Sequence, residues 1–490
     1  MGFRTSEKLS DTQINRGLKY VVTDGVASEA MVAFTGGTFL VALAVQLGAS
    51  NFQLGILASL PTFSNIFQLL SIWLVQRYKN RRAISFISTV VARFPLFLIG
   101  ALPFMFTAGT SIQVLIFLLS IHYFGGSISG ASWNSWMKDL IPDEKLGSFF
   151  SHRSRLAQIA SVTLSLGIAT ALDYIKSSHP GYVGYAYLIM FIIGGLFGML
   201  SAWMLARTPE PTMSVTNENT LTLFKKPLKD KNFRRLLIFN SFWAFALNLA
   251  TPFFSVFMLK TIGLPISYVI ALGIIGQISG IFSIKLWGRY TDKHSNKSII
   301  SLCAPAYIAC ILAMSFTSMP SHYILSLALL VLINIVSGIS TSGINLALNN
   351  IGIKLAPKNE AMAYLSAKNM AVAVFSALAP LLGGLMADFF ATHQMAGSIS
   401  FTDEQTSTVV NVIHLQGWNY FFIFGGLLAM LSLRWLKAVR ETGSTDPSRV
   451  MLYMRANMRS KIRNTATAGM VRNGMKTFRN REGKPAAGNK

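Results

Sequence analysis

The chain has 490 residues, 52% of them hydrophobic and only 13% charged, and it carries a net charge of +24. That balance excludes an ordinary soluble protein of this size and points to a membrane protein. The two cysteines, Cys303 and Cys310, share one apolar segment, which excludes a disulfide framework and a four-ligand metal site and leaves them as small core residues.

In chain order, residues 1–19 are a polar lead holding Arg4, Lys8, Arg16 and Lys19, with no cleavable signal pattern, so the first span is expected to target the chain. Crossing a hydrocarbon core takes about 20 apolar residues. Twelve stretches of that length follow: 20–47, 51–76, 83–106, 111–139, 156–175 and 182–205, then 236–258, 264–287, 298–317, 323–353, 361–390 and 418–436. The first six form an expected bundle over 20–206 and the second six another over 236–437. Between them, 207–235 reads as a hydrophilic linker with Pro209, Pro211, Pro227 and a basic cluster from Lys225 to Arg235. A basic tail, 438–490, closes the chain.

The charges follow the membrane. The odd-to-even connections hold only Lys176 and Lys260, while nearly all other basic residues lie in the termini and the even-to-odd connections. By the positive-inside rule this places both termini in the cytoplasm, and it argues for a membrane partner rather than nucleic acid. The longest outside connection, 391–417, carries Asp403 and Glu404 but no Lys or Arg.

The chain also repeats itself. The polar run from Gly288 to Lys297, between spans 8 and 9, has a counterpart 216 positions earlier, from Ile72 to Arg82 between spans 2 and 3. At offset 215, Gly48 matches Gly263, Asn134 matches Asn349, Pro142 matches Pro357, Ser151 matches Ser366, Arg153 matches Lys368 and Asp173 matches Asp388. Each half therefore has six spans running in the same sense, related by an axis along the membrane normal.

Two parallel six-helix halves, a basic inner linker and the Gly-x-x-x-Asp-Lys-x-x-x-Lys run resemble the major facilitator superfamily. Gly288, Asp292, Lys293 and Lys297 match its signature loop; in the first half Arg77, Arg81 and Arg82 match the basic positions, but Ile72 and Gln76 replace the Gly and Asp. The resemblance implies an all-α membrane protein that moves a small solute by alternating access. It also implies that Asp292 clasps the end of a helix in the neighbouring bundle segment. A carboxylate is favoured at a helix N-terminus and beside a cation such as Lys368. Gln76 cannot form an ion pair, so the first-half clasp, with Arg81 and Arg82, is expected to be the weaker; solvated loop charges are the plain alternative.

Charges inside spans are rare and functional by default. Glu29 in span 1, Arg93 in span 3 and His122 in span 4 fall at one depth near the bilayer midplane, an acid, a base and an imidazole able to bind and release a proton. Glu29 is the expected coupling carboxylate, Arg93 its counter-charge and His122 a modulator or substrate contact. A static buried ion pair and a hydrogen-bonded interior histidine are the alternatives. Asp24 is grouped with these proton-coupling residues, but it lies nearer the inner edge, on another face of the helix, and the inner gate is its alternative place. The second half offers Asn248, Gln277 and Asn334 at similar depth, with Trp243 nearby, as a neutral substrate wall; interhelical hydrogen bonds are the alternative. Gly276-x-x-x-Gly280 and Gly194, Gly195 and Gly198 read as close-packing surfaces.

The expected function is a secondary transporter, coupled to protons, in the cell membrane, bacterial inner membrane included, acting as a monomer without cofactor or metal. A lipid or lysolipid flippase, a multidrug-type exporter and a sensor that has lost transport compete with it. Span 5 lacks the Pro-containing Gly-rich motif of drug exporters, and no nucleophile–base set or phosphate loop supports an enzyme. From Glu441 on, eleven basic residues stand against three acidic ones. Val450, Met451, Met454, Met458 and Ile462 approximate an apolar stripe for the anionic inner leaflet, with a disordered tail as the alternative.

Overall fold

The computed structural model describes residues 9–212, 226–317, 323–357, 361–391, 395–403, 406–415, 417–441, 450–452 and 456. Twelve helical stretches are long and apolar enough to cross a membrane: Asp11–Gln46, Asn51–Tyr78, Arg81–Ile99, Gly109–Leu140, Ser148–Ser178 and Pro180–Arg207 in the first half, and Lys231–Lys260, Ile266–Thr291, Asn296–Met314, Tyr323–Leu355, Tyr364–Phe390 and Gly417–Ala438 in the second. They are spans 1 to 12 below. Span 1 starts at Asp11, well inside the expected polar lead. Ser10 there accepts from the Gln13 amide and Gln13 returns a bond to the Ser10 amide, a capping box that satisfies the first turn without apolar sequence.

Within each half the spans pack on their own partners: span 1 on spans 5 and 6, span 3 on spans 4 and 6, span 7 on spans 11 and 12, and span 9 on spans 10 and 12. Small residues set the close approaches. A Cβ on Gly276 or Gly280 would meet the backbone oxygen of Asn334 or Gly338 on span 10, and one on Gly198 would meet the Arg93 side chain. Cys303 and Cys310 are buried free thiols.

Two breaks matter for the site. Span 1 is interrupted at Gly36-Gly37, where Gly37 has φ of +55°, and span 7 at Thr251-Pro252. These interruptions stand 215 residues apart, the repeat offset, yet one uses a left-handed glycine and the other a proline that cannot donate to the preceding turn. Span 2 alone has a further break: after Pro61 its helix passes through a 3₁₀ segment, Ser64–Phe67, before resuming at Gln68. Span 8, its repeat partner, is one helix from Ile266 to Lys293.

Between spans 11 and 12, within the longest outside connection, β1 (Met395–Asp403) and β2 (Thr406–Leu415) pair antiparallel as a hairpin. The membrane face carrying it is called the hairpin face; the opposite one, where spans 6 and 7 are joined, is the linker face. Of the tail stripe, Val450 packs into the main buried cluster and Met451 is exposed; Met454, Met458 and Ile462 lie outside the described residues.

Candidate functional site: a cleft between two halves, latched by carboxylates

On the hairpin face the halves are joined by two carboxylates, each on one half and each capping a helix of the other. Asp388, near the end of span 11, accepts from the backbone amides of Asn51 and Phe52 at 3.0 and 2.9 Å. Asp173, near the end of span 5, accepts from Ile266 and Ser267 at 3.0 and 2.7 Å. The opening amides of a helix have no internal partner and carry the positive end of its dipole, so a carboxylate there meets both needs. The two latches obey the repeat: 173 and 388, 51 and 266, 52 and 267 all differ by 215. Lys260 adds a bond from Nζ to the Ala49 carbonyl at 3.1 Å. Across the halves spans 2 and 11 approach closely, since a Cβ on Gly55 would collide with the Pro380 oxygen and one on Gly384 with that of Asn51.

On the linker face the described carboxylates act within one half. Glu210 accepts from the amides of Arg81 and Arg82 at 2.6 and 3.1 Å, and the Arg81 guanidinium reaches Glu210, Asp139 and the carbonyls of Ser135 and Pro211. Glu441 does the same for span 9, accepting from the amides of Asn296 and Lys297 at 3.3 and 2.8 Å, from Asn296 Nδ2 at 2.9 Å and from Lys354 Nζ at 3.1 Å. Burial favours the neutral acid at Glu441, but these donors outweigh it and hold its pKa below the usual carboxylate range. Glu210 and Glu441 each follow the last span of their half by three residues. The segment after span 6 is therefore no free linker at its start: Glu210 is 2% exposed, and Trp136 donates to the Pro209 carbonyl.

This corrects the reading of the first-half loop. Arg81 is fully buried and bound within its own half, so it is neither a solvated loop charge nor, in this conformation, a link to the second half. The amide of Arg82 is taken by Glu210, and Gln76 is exposed at the end of span 2. Helix starts also fix the register: the caps Asn80 and Ser295 lie 215 apart, so Arg81 corresponds to Asn296 and Arg82 to Lys297. In the second-half loop Gly288 has open space around it and Lys293 is exposed. The Asp292 backbone completes the span 8 helix, but its side chain lies outside those described. Lys368 is buried and donates to the Leu348 carbonyl on span 10 of its own half.

Two cavities lie between the faces. One, of about 390 Å³, sits on the seam under the hairpin face and is lined from both halves, including Gly36, Gly37 and Thr251 at the two helix breaks together with Ser165, Gln277 and Asn334. The other, of about 370 Å³, belongs to the first half and holds Glu29, Arg93, His122, Tyr123, Asn65 and Gln68. Val32 borders both.

The structure thus brings Glu29, Arg93 and His122 to one cavity, as their depth suggested, and the static ion pair, the alternative reading, is not made. Neither Glu29 nor Arg93 forms a hydrogen bond or ion pair among the described residues, and the Arg93 Nε is buried without a partner. His122 holds the Ala92 carbonyl through Nδ1 at 2.8 Å, which places its proton there and leaves Nε2 available. Asp24 is not a gate across the halves. Its oxygens take Ser201 Oγ at 2.7 Å and Arg153 at 3.3 Å, and Arg153 also donates to Val21 O, tying spans 1, 5 and 6 together. In the second half Gln277 and Asn334 line the seam cavity. Asn248 bridges to Ser376 on span 11 at 3.2 Å, and Trp243, 2% exposed, is packed against Phe239 in the core. Neither lines the wall expected of them.

Sequence reasoning did not single out Glu210, nor the latching role of Asp173 and Asp388. The repeat had already marked the last two as a pair; only their partners were hidden.

The Major Facilitator Superfamily profile matches residues 25–380. The chain belongs to the major facilitator superfamily. No curated protein matches the sequence. Solved structures that share the superfamily fold include a mutant of the nucleoside transporter NupG, 12% identical with a TM-score of 0.67, covering 87% of this chain and 100% of that one. A D-xylose-proton symporter is 15% identical with a TM-score of 0.60, covering 89% and 98%. A bacterial homologue of the human lysosomal transporter Spinster, in an inward-facing and unoccupied conformation, is 14% identical with a TM-score of 0.58, covering 91% and 99%. As a superfamily member with twelve apolar helices, the chain is a multi-pass membrane transporter and not an enzyme.

Proposed function

We propose that the chain is a proton-coupled secondary transporter of a small solute, alternating between a state closed on the hairpin face and one closed on the linker face. The observation that carries the reading is the pair of repeat-related latches: they join the halves at one end, through bonds that a rocking motion can break and water can replace. With the linker face taken as cytoplasmic, from the placement of basic residues, a chain latched on the hairpin face corresponds to an inward-facing state. The lead, linker and tail, and the bundles 20–206 and 236–437, keep their expected roles in this scheme.

Glu29 is the proton carrier. It lines a cavity with Arg93 and makes no hydrogen bond or ion pair among the described residues. Arg93 and His122 set its surroundings, and Asp24 with Arg153 stiffens the helix that carries it. The naming of one fold neighbour as a proton symporter agrees with this reading. Gln277 and Asn334 form the second-half wall for substrate. When the linker face closes, Asp292 and Lys368 clasp it, and Gln76 leaves the first-half copy weaker.

Counterflow and gradient-driven uptake in proteoliposomes, with and without a pH difference, test this. Glu29→Gln is expected to retain exchange of substrate down its own gradient and to lose accumulation driven by protons. Retained proton-driven accumulation would remove Glu29 from the coupling role.

A further inference from the structure

We propose that the first-half cavity binds a small carboxylic acid, its carboxylate seated on the Arg93 guanidinium and its charge balanced by a proton carried on Glu29. The assignment rests on the transport reading above and names the substrate class of that site.

The starting point is an incomplete electrostatic arrangement. A guanidinium has five donors in a planar fork, and burying one without acceptors is costly. Other buried charges are met: Arg81 by Glu210 and Asp139, Asp24 by Ser201 and Arg153, Glu441 by Asn296, Lys297 and Lys354. Arg93 makes no hydrogen bond or ion pair among the described residues. Its Nε is buried with no acceptor, its stem packs on Gly198, and it lines the cavity. Asp24 acts on it through space, but both Asp24 oxygens are already bonded elsewhere.

A second group in the same wall is also left open. Ser127 Oγ is buried without a partner, and Ser127 lines the cavity with Arg93. The break in span 2 adds Asn65 and Gln68, so amides face the same space. Asn65 and Gln68 bond to each other, so the donors left for a ligand are the Arg93 guanidinium and the Ser127 hydroxyl, facing the acceptors Glu29 and His122 Nε2. A planar oxyanion fits these donors best, since a carboxylate accepts two parallel bonds from the guanidinium fork. A neutral sugar or nucleoside would leave the Arg93 charge uncompensated. A cation would meet it directly.

The coupling then follows from charge counting. The groups around Glu29 are Asp24 on its own span, Arg93 on span 3, His122 and Tyr123 on span 4 and Arg153 on span 5. Asp24 and Arg153 cancel each other, and His122, bonded to Ala92, is taken as neutral. That leaves Arg93 against Glu29. Adding an anion to an ionised Glu29 gives two negative charges for one positive; adding it with a proton on Glu29 restores balance. Anion and proton therefore assist each other's binding, and by linkage the effect is reciprocal.

The test is thermal stabilisation of the purified, detergent-solubilised full chain by lactate, succinate and benzoate, against their primary amides and xylose, at several pH values. The expected result is stabilisation by at least one of the acids and not by its amide, greater at lower pH within the range where the acid stays ionised. Arg93→Gln should weaken that binding about tenfold or more, with Arg93→Lys intermediate. Glu29→Gln, which breaks no bond in the structure, should bind the acid without the pH dependence; that variant keeps the proposal testable if Arg93→Gln does not fold. Stabilisation by amide and acid alike, binding unaffected by Arg93→Gln, or no response to any acid at millimolar concentration would each overturn the assignment. Uptake in proteoliposomes separates the two levels. Exchange of a neutral solute indifferent to Arg93→Gln would end the anion assignment and leave transport standing, whereas carboxylate binding without any flux would do the reverse.

Discussion

Removing the hairpin-face latches should tip the protein toward its other state by an amount that can be worked out in advance. In Asp388→Asn the side chain keeps one neutral acceptor where the carboxylate offered two charged ones to Asn51 and Phe52. Two charge-assisted bonds are worth roughly 3–6 kcal/mol together and one neutral bond about 1 kcal/mol. Asp388 is only partly buried, which favours the low end, so the expected loss is about 2 kcal/mol, a roughly 30-fold change in the ratio of the two states. Asp173→Asn should do the same at Ile266 and Ser267. The latches share no partner, so the double variant should lose about 4 kcal/mol. Spin labels at Ser177→Cys and Thr261→Cys, both exposed on the hairpin face and on opposite halves, would report the change as a longer distance population by pulsed electron resonance in nanodiscs. The native cysteines are buried and should not label. A folded double variant with an unchanged distance distribution would refute the latch argument.

Other consequences are equally direct. Glu210→Ala strips the fully buried Arg81 of one of its two carboxylates and should destabilise the protein by about 3 kcal/mol, read as a lower midpoint in thermal unfolding. Because the pKa of Glu441 is held down in the folded state, its contribution is present above the ordinary glutamate pKa of about 4.3 and is lost as pH falls through the lower folded value; the stability gap between wild type and Glu441→Gln should therefore close below about pH 4. Gly25→Ala would place a Cβ 2.5 Å from Arg153 Nε and should dislodge the bond to Asp24, which a double-mutant cycle with Arg153→Met would detect as non-additivity. Gly37→Ala meets no atom within 4 Å but forces alanine to φ of +55°, so a loss of about 1 kcal/mol from backbone strain alone is expected, with transport rate changed more than stability if the break flexes.

The sequence by itself determined the number of spans, the duplication and the depth at which Glu29, Arg93 and His122 meet. Each of these is a one-dimensional quantity: length against the thickness of a bilayer, offset between copies, and rise along a helix. The tertiary structure decided who holds whom. Asp388 and Asn51 are 337 residues apart, and Arg81 and Glu210 are 129 apart, so no local pattern links them. A helix end needs an acceptor for its free amides, but any carboxylate that reaches it will serve, and only the fold selects which one does. The same holds for Arg93: its depth was legible, whereas its lack of a partner is a property of three neighbouring helices at once.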